Sequence, residues 1–337
     1  MQYPSFIKNN GYIGVPAPSE GSRNEKKKSK YINSKKHWES CGYKVILSKN
    51  LYKNKRGRSA SKQVRAKEIN EMFKDKKISA MICAAGGDFL VEILPYIEFE
   101  ILVNNPKWIA GFSDATGLLY PITSKYDIAT IYGNNFSSFG ATTLYKNHKD
   151  FQEVLEGKRI TIESYERYEE KWQEEITGLE GYNLTEKVFW KTLDGKEIDI
   201  EGRLLGGNLE IISTLAGTKY DGTKKFTEKY KKDGIIWFFD NFALSMEEVI
   251  NVLWKFKELN YFKYTKCVIF GRFGVERSSN DYNVKKCLED SILKELKIPV
   301  IYDADISHKA PCMPIINGSI AHIKCKNGKA TINYKLK

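Results

Sequence analysis

Short apolar runs alternate with stretches of helical spacing through the first 160 residues, and few folds accommodate that order. The runs are Tyr12–Ser19, Tyr43–Ser48, Ile78–Ala85, Trp108–Phe112 and Ile128–Gly133. Between them, Lys27–Cys41 is expected to be helical. So is Ser59–Lys74, with Ser59 or Ser61 as its cap and Val64, Ile69 and Met72 at roughly helical spacing. A further helix is expected after Asp88, running through Leu94 and ended by Pro95. Strands that alternate with helices build a mainly parallel sheet with helices on both faces. Ligands of such sheets sit at the carboxyl ends of the strands. Ser19, the Gly86–Gly87 pair and Ser113 all fall at such ends.

Ser113 stands out among these. It follows the apolar run Trp108–Phe112 and precedes a helical start at Thr116–Leu119. A serine at a strand-to-helix turn is held strained and exposed, with the next N–H free to bind an oxyanion. That turn needs small residues two places to either side, and Gly111 and Ala115 hold those places. The alternative is an ordinary turn in which Ser113 or Asp114 caps the helix.

The second half repeats the alternation after a change of composition. Residues 163–175 are rich in Glu, Tyr and Lys around Trp172, and Trp190 follows in the run Val188–Lys191. This gives a division into 1–160, a connector and loop-rich insertion over 161–201, and 202–337. In the last part, Gly206–Gly207–Asn208 is expected to turn into a helix over Leu209–Leu215. Strands are expected at Gly234–Phe239, Lys266–Gly271 and Ile298–Tyr302, and a β-hairpin around Asn327–Gly328. The segment Ser245–Leu259 is an amphipathic helix with a capping box of Ser245 and Glu248.

Composition excludes several classes. An apolar share of 42% with 28% charged residues fits a soluble globular chain, and no apolar run reaches the length of a membrane span. The first residues lack the basic-then-apolar layout of a signal peptide, so a cytoplasmic location is expected, with no membrane partner. The six cysteines are scattered without a paired spacing and are expected as reduced thiols, not metal ligands or disulfides. No metal or nucleotide-cofactor motif occurs, so neither metal nor cofactor is expected. The net charge of +12 comes from dispersed lysines and one block at residues 26–30. Without interleaved aromatics or a known module, that block reads as solvated surface and not as a nucleic-acid site.

A serine hydrolase needs a base that titrates near neutrality. His37 and His148 lie in polar stretches and are expected on the surface, while His322 lies on a hairpin strand. His308 follows a strand, in a loop between Asp303 and Pro314, where functional groups concentrate. Asp240 ends the most apolar strand of the second half and is the candidate acid; Glu247 and Glu248 are alternatives on a helix. Ser113, Asp240 and His308 run in the order nucleophile, acid, base, the order of α/β-hydrolases.

Taken together, these segments resemble the LD-carboxypeptidase family of serine peptidases, which includes the microcin C immunity peptidases. The resemblance spans residues 13–19, the Arg65 helix, Ala85–Asp88 and the Gly-Phe-Ser-Asp-Ala-Thr stretch at 111–116. It continues through Gly206–Leu209, Gly217–Thr218, the strand ending at Asp240, Gly271–Phe273 and Ser307–His308 with Pro314. It implies an N-terminal α/β domain carrying the serine, a smaller C-terminal α/β domain carrying acid and base, and a site in the cleft between them. Ser113 is then the nucleophile, His308 its base and Asp240 its acid, where the family usually has glutamate. The oxyanion hole maps to the N–H of Asp114 and one from Gly86–Gly87. The family acts on small peptides, commonly as homodimers. One branch trims the terminal D-alanine of murein tetrapeptides. The other cleaves the amide joining a peptidyl or aminoacyl group to a nucleotide-like toxin. The aromatic insertion, with Trp172 and Trp190 as candidates to stack on a base, resembles the second branch. The aspartate leaves open a third reading, a ligand-binding relative with weakened turnover.

Overall fold

The computed structural model describes residues 1–336 and contains two main β-sheets. In the first, the strands Lys44–Leu47, Tyr12–Val15, Ile78–Ile82, Trp108–Gly111 and Thr130–Tyr132 lie side by side, all parallel. The order of the sheet reverses at Tyr12–Val15, which pairs with Lys44–Leu47 on one side and Ile78–Ile82 on the other. The expected site residues Ser19, Gly86 and Ser113 follow the carboxyl ends of the strands around this switch point.

The second sheet has eight strands. Its centre is the parallel set Ile198–Asn208, Ile235–Asp240, Thr265–Gly271 and Val300–Ala304. The hairpin Ile320–Lys326 with Lys329–Lys335 pairs antiparallel beside Ile198–Asn208. The two edges, Thr161–Glu163 and Lys191–Thr192, both come from the segment expected to be a connector. Near the end of the chain, Ile315–Asn317 crosses back and pairs antiparallel with Thr130–Tyr132, closing the edge of the first sheet.

Local chemistry explains most element ends. The helix Met246–Glu258 carries the expected capping box: Ser245 N–H donates to Glu248 Oε2 at 2.7 Å, and Glu248 N–H donates to Ser245 Oγ at 3.3 Å. Its buried Met246, Val249, Leu253 and Phe256 form one stripe, as the 3.6-residue period requires. Three expectations are corrected. The segment Leu90–Tyr96 is a 3-10 helix with Pro95 inside it. Gly206–Gly207–Asn208 is not a free turn but the end of the strand Ile198–Asn208. A Cβ on Gly206 would fall 1.8 Å from the Phe238 carbonyl oxygen, so only glycine permits that strand contact. Asn208 then caps the next helix by accepting from Ile211 N–H at 3.1 Å. His148, expected on the surface, is 2% exposed. Its Nδ1 accepts from Tyr145 N–H at 3.0 Å, its ring stacks on Tyr182, and burial lowers its pKa to about 4.

Candidate active site

Ser113 is separated from the strand Trp108–Gly111 by Phe112 alone, and it opens the 3-10 turn Ser113–Ala115 that leads into the helix Thr116–Ser124. Its φ is +61°, a conformation that costs a non-glycine residue energy and persists only when its surroundings impose it. The steric rule at this turn is met on both sides. A Cβ on Gly111 would come within 2.5 Å of the Ala115 Cβ, so the turn can close only with these small residues. Asn135 pins the preceding residue, accepting from Phe112 N–H at 2.9 Å and donating to its carbonyl at 3.3 Å.

His308 and Asp240 arrive from the second sheet. The hydroxyl of Ser113 is 2.9 Å from His308 Nε2, across 195 residues of sequence. His308 Nδ1 is 3.1 Å from Asp240 Oδ1 and 2.9 Å from Oδ2. Aspartate therefore spans the gap despite its shorter side chain. A carboxylate at Nδ1 holds the ring proton there and leaves the Nε2 lone pair facing the serine hydroxyl. Asp240 is fully buried, and the imidazole lies between the rings of Phe112 and Phe242, with centroids 4.5 and 4.4 Å away. The arrangement can take a proton from Ser113 and stabilise the imidazolium that results.

The loop bearing His308 is braced from behind. Arg272 donates to Asp305 Oδ1 at 2.7 Å and to the carbonyls of Lys309 and Pro311. Ser307 Oγ donates to the Arg272 carbonyl at 2.6 Å. Asp305 Oδ2 also accepts from Tyr165 N–H and from the Trp190 indole N–H, each at 2.9 Å. Trp190 is thus 1% exposed and committed to this brace, which corrects its expected role as a ligand contact. Both ends of the Arg272–Asp305 pair are buried, so Arg272→Met leaves a carboxylate without its cation. The expected cost is about 3–5 kcal/mol, read as a lowered urea midpoint; an unchanged midpoint refutes the brace.

Trp172 is 55% exposed. Its indole N–H donates to the His308 carbonyl at 3.2 Å, and its ring tilts against Phe242 at 6.0 Å. The cleft beside Ser113 has a volume of about 570 Å³, and Gly86, Gly87, Phe112, Phe242 and His308 are among its lining residues. Gly86 backs directly onto the serine: a Cβ there would sit 3.2 Å from the Ser113 Cβ. The Asp114 backbone follows Ser113 in the turn, while its buried side chain accepts from Leu90 N–H at 3.0 Å. Burial raises the Asp114 carboxyl above its ordinary range.

Two features were not read from the sequence. The basic block expected to be solvated turns two of its lysines to the cleft, where Lys27 pairs with Glu20 and Lys30 with Glu175. Burial, with Lys30 adding to it, lowers the Lys27 pKa to about 8. The other is Tyr132, whose hydroxyl meets both Asp240 and the Ser113 backbone. Its only sequence signal is a polar tip near the carboxyl end of the strand expected at Ile128–Gly133. Among the described residues, no group of His, Cys, Asp and Glu is arranged to hold a metal ion, and no helix is long and apolar enough to cross a membrane.

The model of the LD-carboxypeptidase N-terminal domain matches residues 13–133, and that of the LD-carboxypeptidase C-terminal domain matches residues 201–323. The chain belongs to the LD-carboxypeptidase family. It is accordingly a serine-type carboxypeptidase. Among curated relatives, the microcin C7 self-immunity protein MccF of Escherichia coli is 26% identical over 90% of this chain and 87% of its own. A probable murein peptide carboxypeptidase of Bacillus subtilis is 27% identical over 65% of this chain and 60% of its own. The solved structure of MccF in complex with aspartyl sulfamoyl adenosine shares the fold, with a TM-score of 0.83 at 23% identity and 98% of each chain covered.

Proposed function

We propose that Ser113, His308 and Asp240 form the catalytic relay of this carboxypeptidase. Ser113 Oγ attacks the scissile carbonyl carbon while its proton passes to His308 Nε2. The oxyanion is held by the N–H of Asp114 and an N–H of the Gly86–Gly87 turn. The intermediate collapses as the C–N bond breaks, and His308 gives its proton to the departing amine. Water, deprotonated by His308, then attacks the acyl ester; the C–O bond to Ser113 breaks and the serine recovers its proton. The observation that carries this reading is the continuous contact from Ser113 through His308 to the buried Asp240, at 2.9 Å each. Those distances weigh against the reading of a binding protein that has lost turnover. A fluorophosphonate probe tests the assignment: labelling of Ser113 is expected, and an unlabelled native protein overturns it.

For the substrate, we infer an amide between an aminoacyl or peptidyl group and a nucleotide-like moiety. Trp172 supports this, because it offers an exposed indole packed against Phe242, which lines the cleft, and a base can stack on such a ring. A second support is that the relative MccF has been solved with aspartyl sulfamoyl adenosine. The match to a murein peptide carboxypeptidase favours a murein tetrapeptide as the second reading. Purified enzyme is to be given both substrates side by side. Faster release from an aminoacyl sulfamoyl adenosine is expected; cleavage of the tetrapeptide alone overturns the first reading. Trp172→Ala should raise KM for the nucleotide substrate about tenfold or more and leave KM for the tetrapeptide unchanged, since base stacking is worth about 1–3 kcal/mol.

A further inference from the structure

Tyr132 ends the strand Thr130–Tyr132 and pairs in register with Gly111, two residues before Ser113. Its side chain is 1% exposed, so its hydroxyl has to find partners within the protein. It finds two. The O–H donates to Asp240 Oδ2 at 2.6 Å, and the oxygen accepts from the backbone N–H of Ser113 at 3.3 Å. A phenol has one proton to give and lone pairs to receive, so both bonds form at once. Burial, and the carboxylate beside it, hold the phenol pKa well above its ordinary value, so it remains a donor throughout the working range.

We propose that Tyr132 is a positioning residue that ties the strained backbone of Ser113 to the carboxylate of Asp240. The proposal rests on the catalytic reading of Ser113, His308 and Asp240. It follows from where each group originates. Ser113 and Tyr132 belong to the first sheet, whereas Asp240 ends a strand of the second. The phenol is the side chain through which the first sheet grips the acid, and Oδ2, which it holds, is also the oxygen nearer His308 Nδ1. Its bond to Ser113 falls on the residue whose φ of +61° has to be maintained from outside.

The donated proton also draws charge from the carboxylate. Removing it concentrates that charge on the side facing His308 and strengthens the hold on an imidazolium. The charged ring is then held more firmly, and the acid limb of kcat/KM moves to higher pH. The other groups around the pair stay in place. Phe112 and Phe242 flank the imidazole, and Trp172 meets its carbonyl. The Cys312 thiol and the Glu210 carboxyl lie within electrostatic reach of Asp240. Lys309 is paired with Glu170 and Glu276, and Arg272 with Asp305.

The test is Tyr132→Phe, which removes one oxygen and keeps the ring. Rates are to be normalised to the fraction of enzyme that a fluorophosphonate labels at Ser113. Expected are a fall in kcat of about 10- to 100-fold, as for a lost hydrogen bond to a charged group, an unchanged KM, and an acid limb displaced upward. A normalised kcat and acid limb equal to those of the native enzyme overturn the proposal. A loss confined to the labelled fraction, with the limb unmoved, overturns it too, because that is damage to folding alone. Failure of the native enzyme itself to label would instead strike the catalytic reading beneath it.

Discussion

Ser113→Ala is expected to lower kcat by about a million-fold on whichever of the two amides the enzyme hydrolyses, because removing one member of a relay disables the whole. The substitution deletes a single oxygen and does not enlarge the residue, so the turn between Gly111 and Ala115 remains closed. Methyl in place of hydroxyl leaves no group to attack the carbonyl, and the relay from His308 to Asp240 has no proton to move. Whatever hydrolysis remains reflects substrate binding and the N–H groups around the oxyanion. The measurement is a single-turnover rate beside an equilibrium titration of substrate. Near-normal affinity with lost turnover is the expected pair of results; retained turnover removes Ser113 from the mechanism.

Asp240→Asn is expected to cost about ten-thousand-fold in kcat, with the fold intact. The carboxylate now accepts from two donors, the Tyr132 hydroxyl and the His308 ring nitrogen. A carboxamide has one oxygen for these two demands. If that oxygen serves Tyr132, the amide N–H₂ faces His308 Nδ1 and repels its proton. The proton then settles on Nε2, and the lone pair that should receive the serine proton is gone. The unfolding midpoint should change little, since the side chains are the same size. A kcat within tenfold of the native value would show that His308 keeps its tautomer without the acid.

What the sequence made legible follows from the range of each cause. The Ser113 turn could be read because its constraint is local: Gly111 and Ala115 must be small for the same steric reason that the structure displays. The capping box of Ser245 and Glu248 is equally local. His308 and Asp240 could be proposed from their places after apolar strands, although only the folded chain brings them within 3 Å of their partners. The misreadings share the opposite cause. His148 sits among polar neighbours in sequence, yet it stacks on Tyr182, 34 residues away. Trp190 looked available for a ligand because nothing near it in the chain announces Asp305, 115 residues on. The lysines at 27 and 30 read as solvated because their partners, Glu20 and Glu175, lie outside their own helix. Tyr132 hid inside an apolar strand that any core would accept.

The return of Ile315–Asn317 to the first sheet carries a consequence for how substrate gets in. This edge strand begins seven residues beyond His308, so the base is moored to the same sheet that presents the serine. Swinging the two halves apart would first unzip that border. Serine and imidazole are therefore tied together at this border, and the stretch around Trp172 and Glu175 is fastened in turn by Lys30 and by the carbonyl of His308. The molecule works as a vice whose jaws are sewn together along one side.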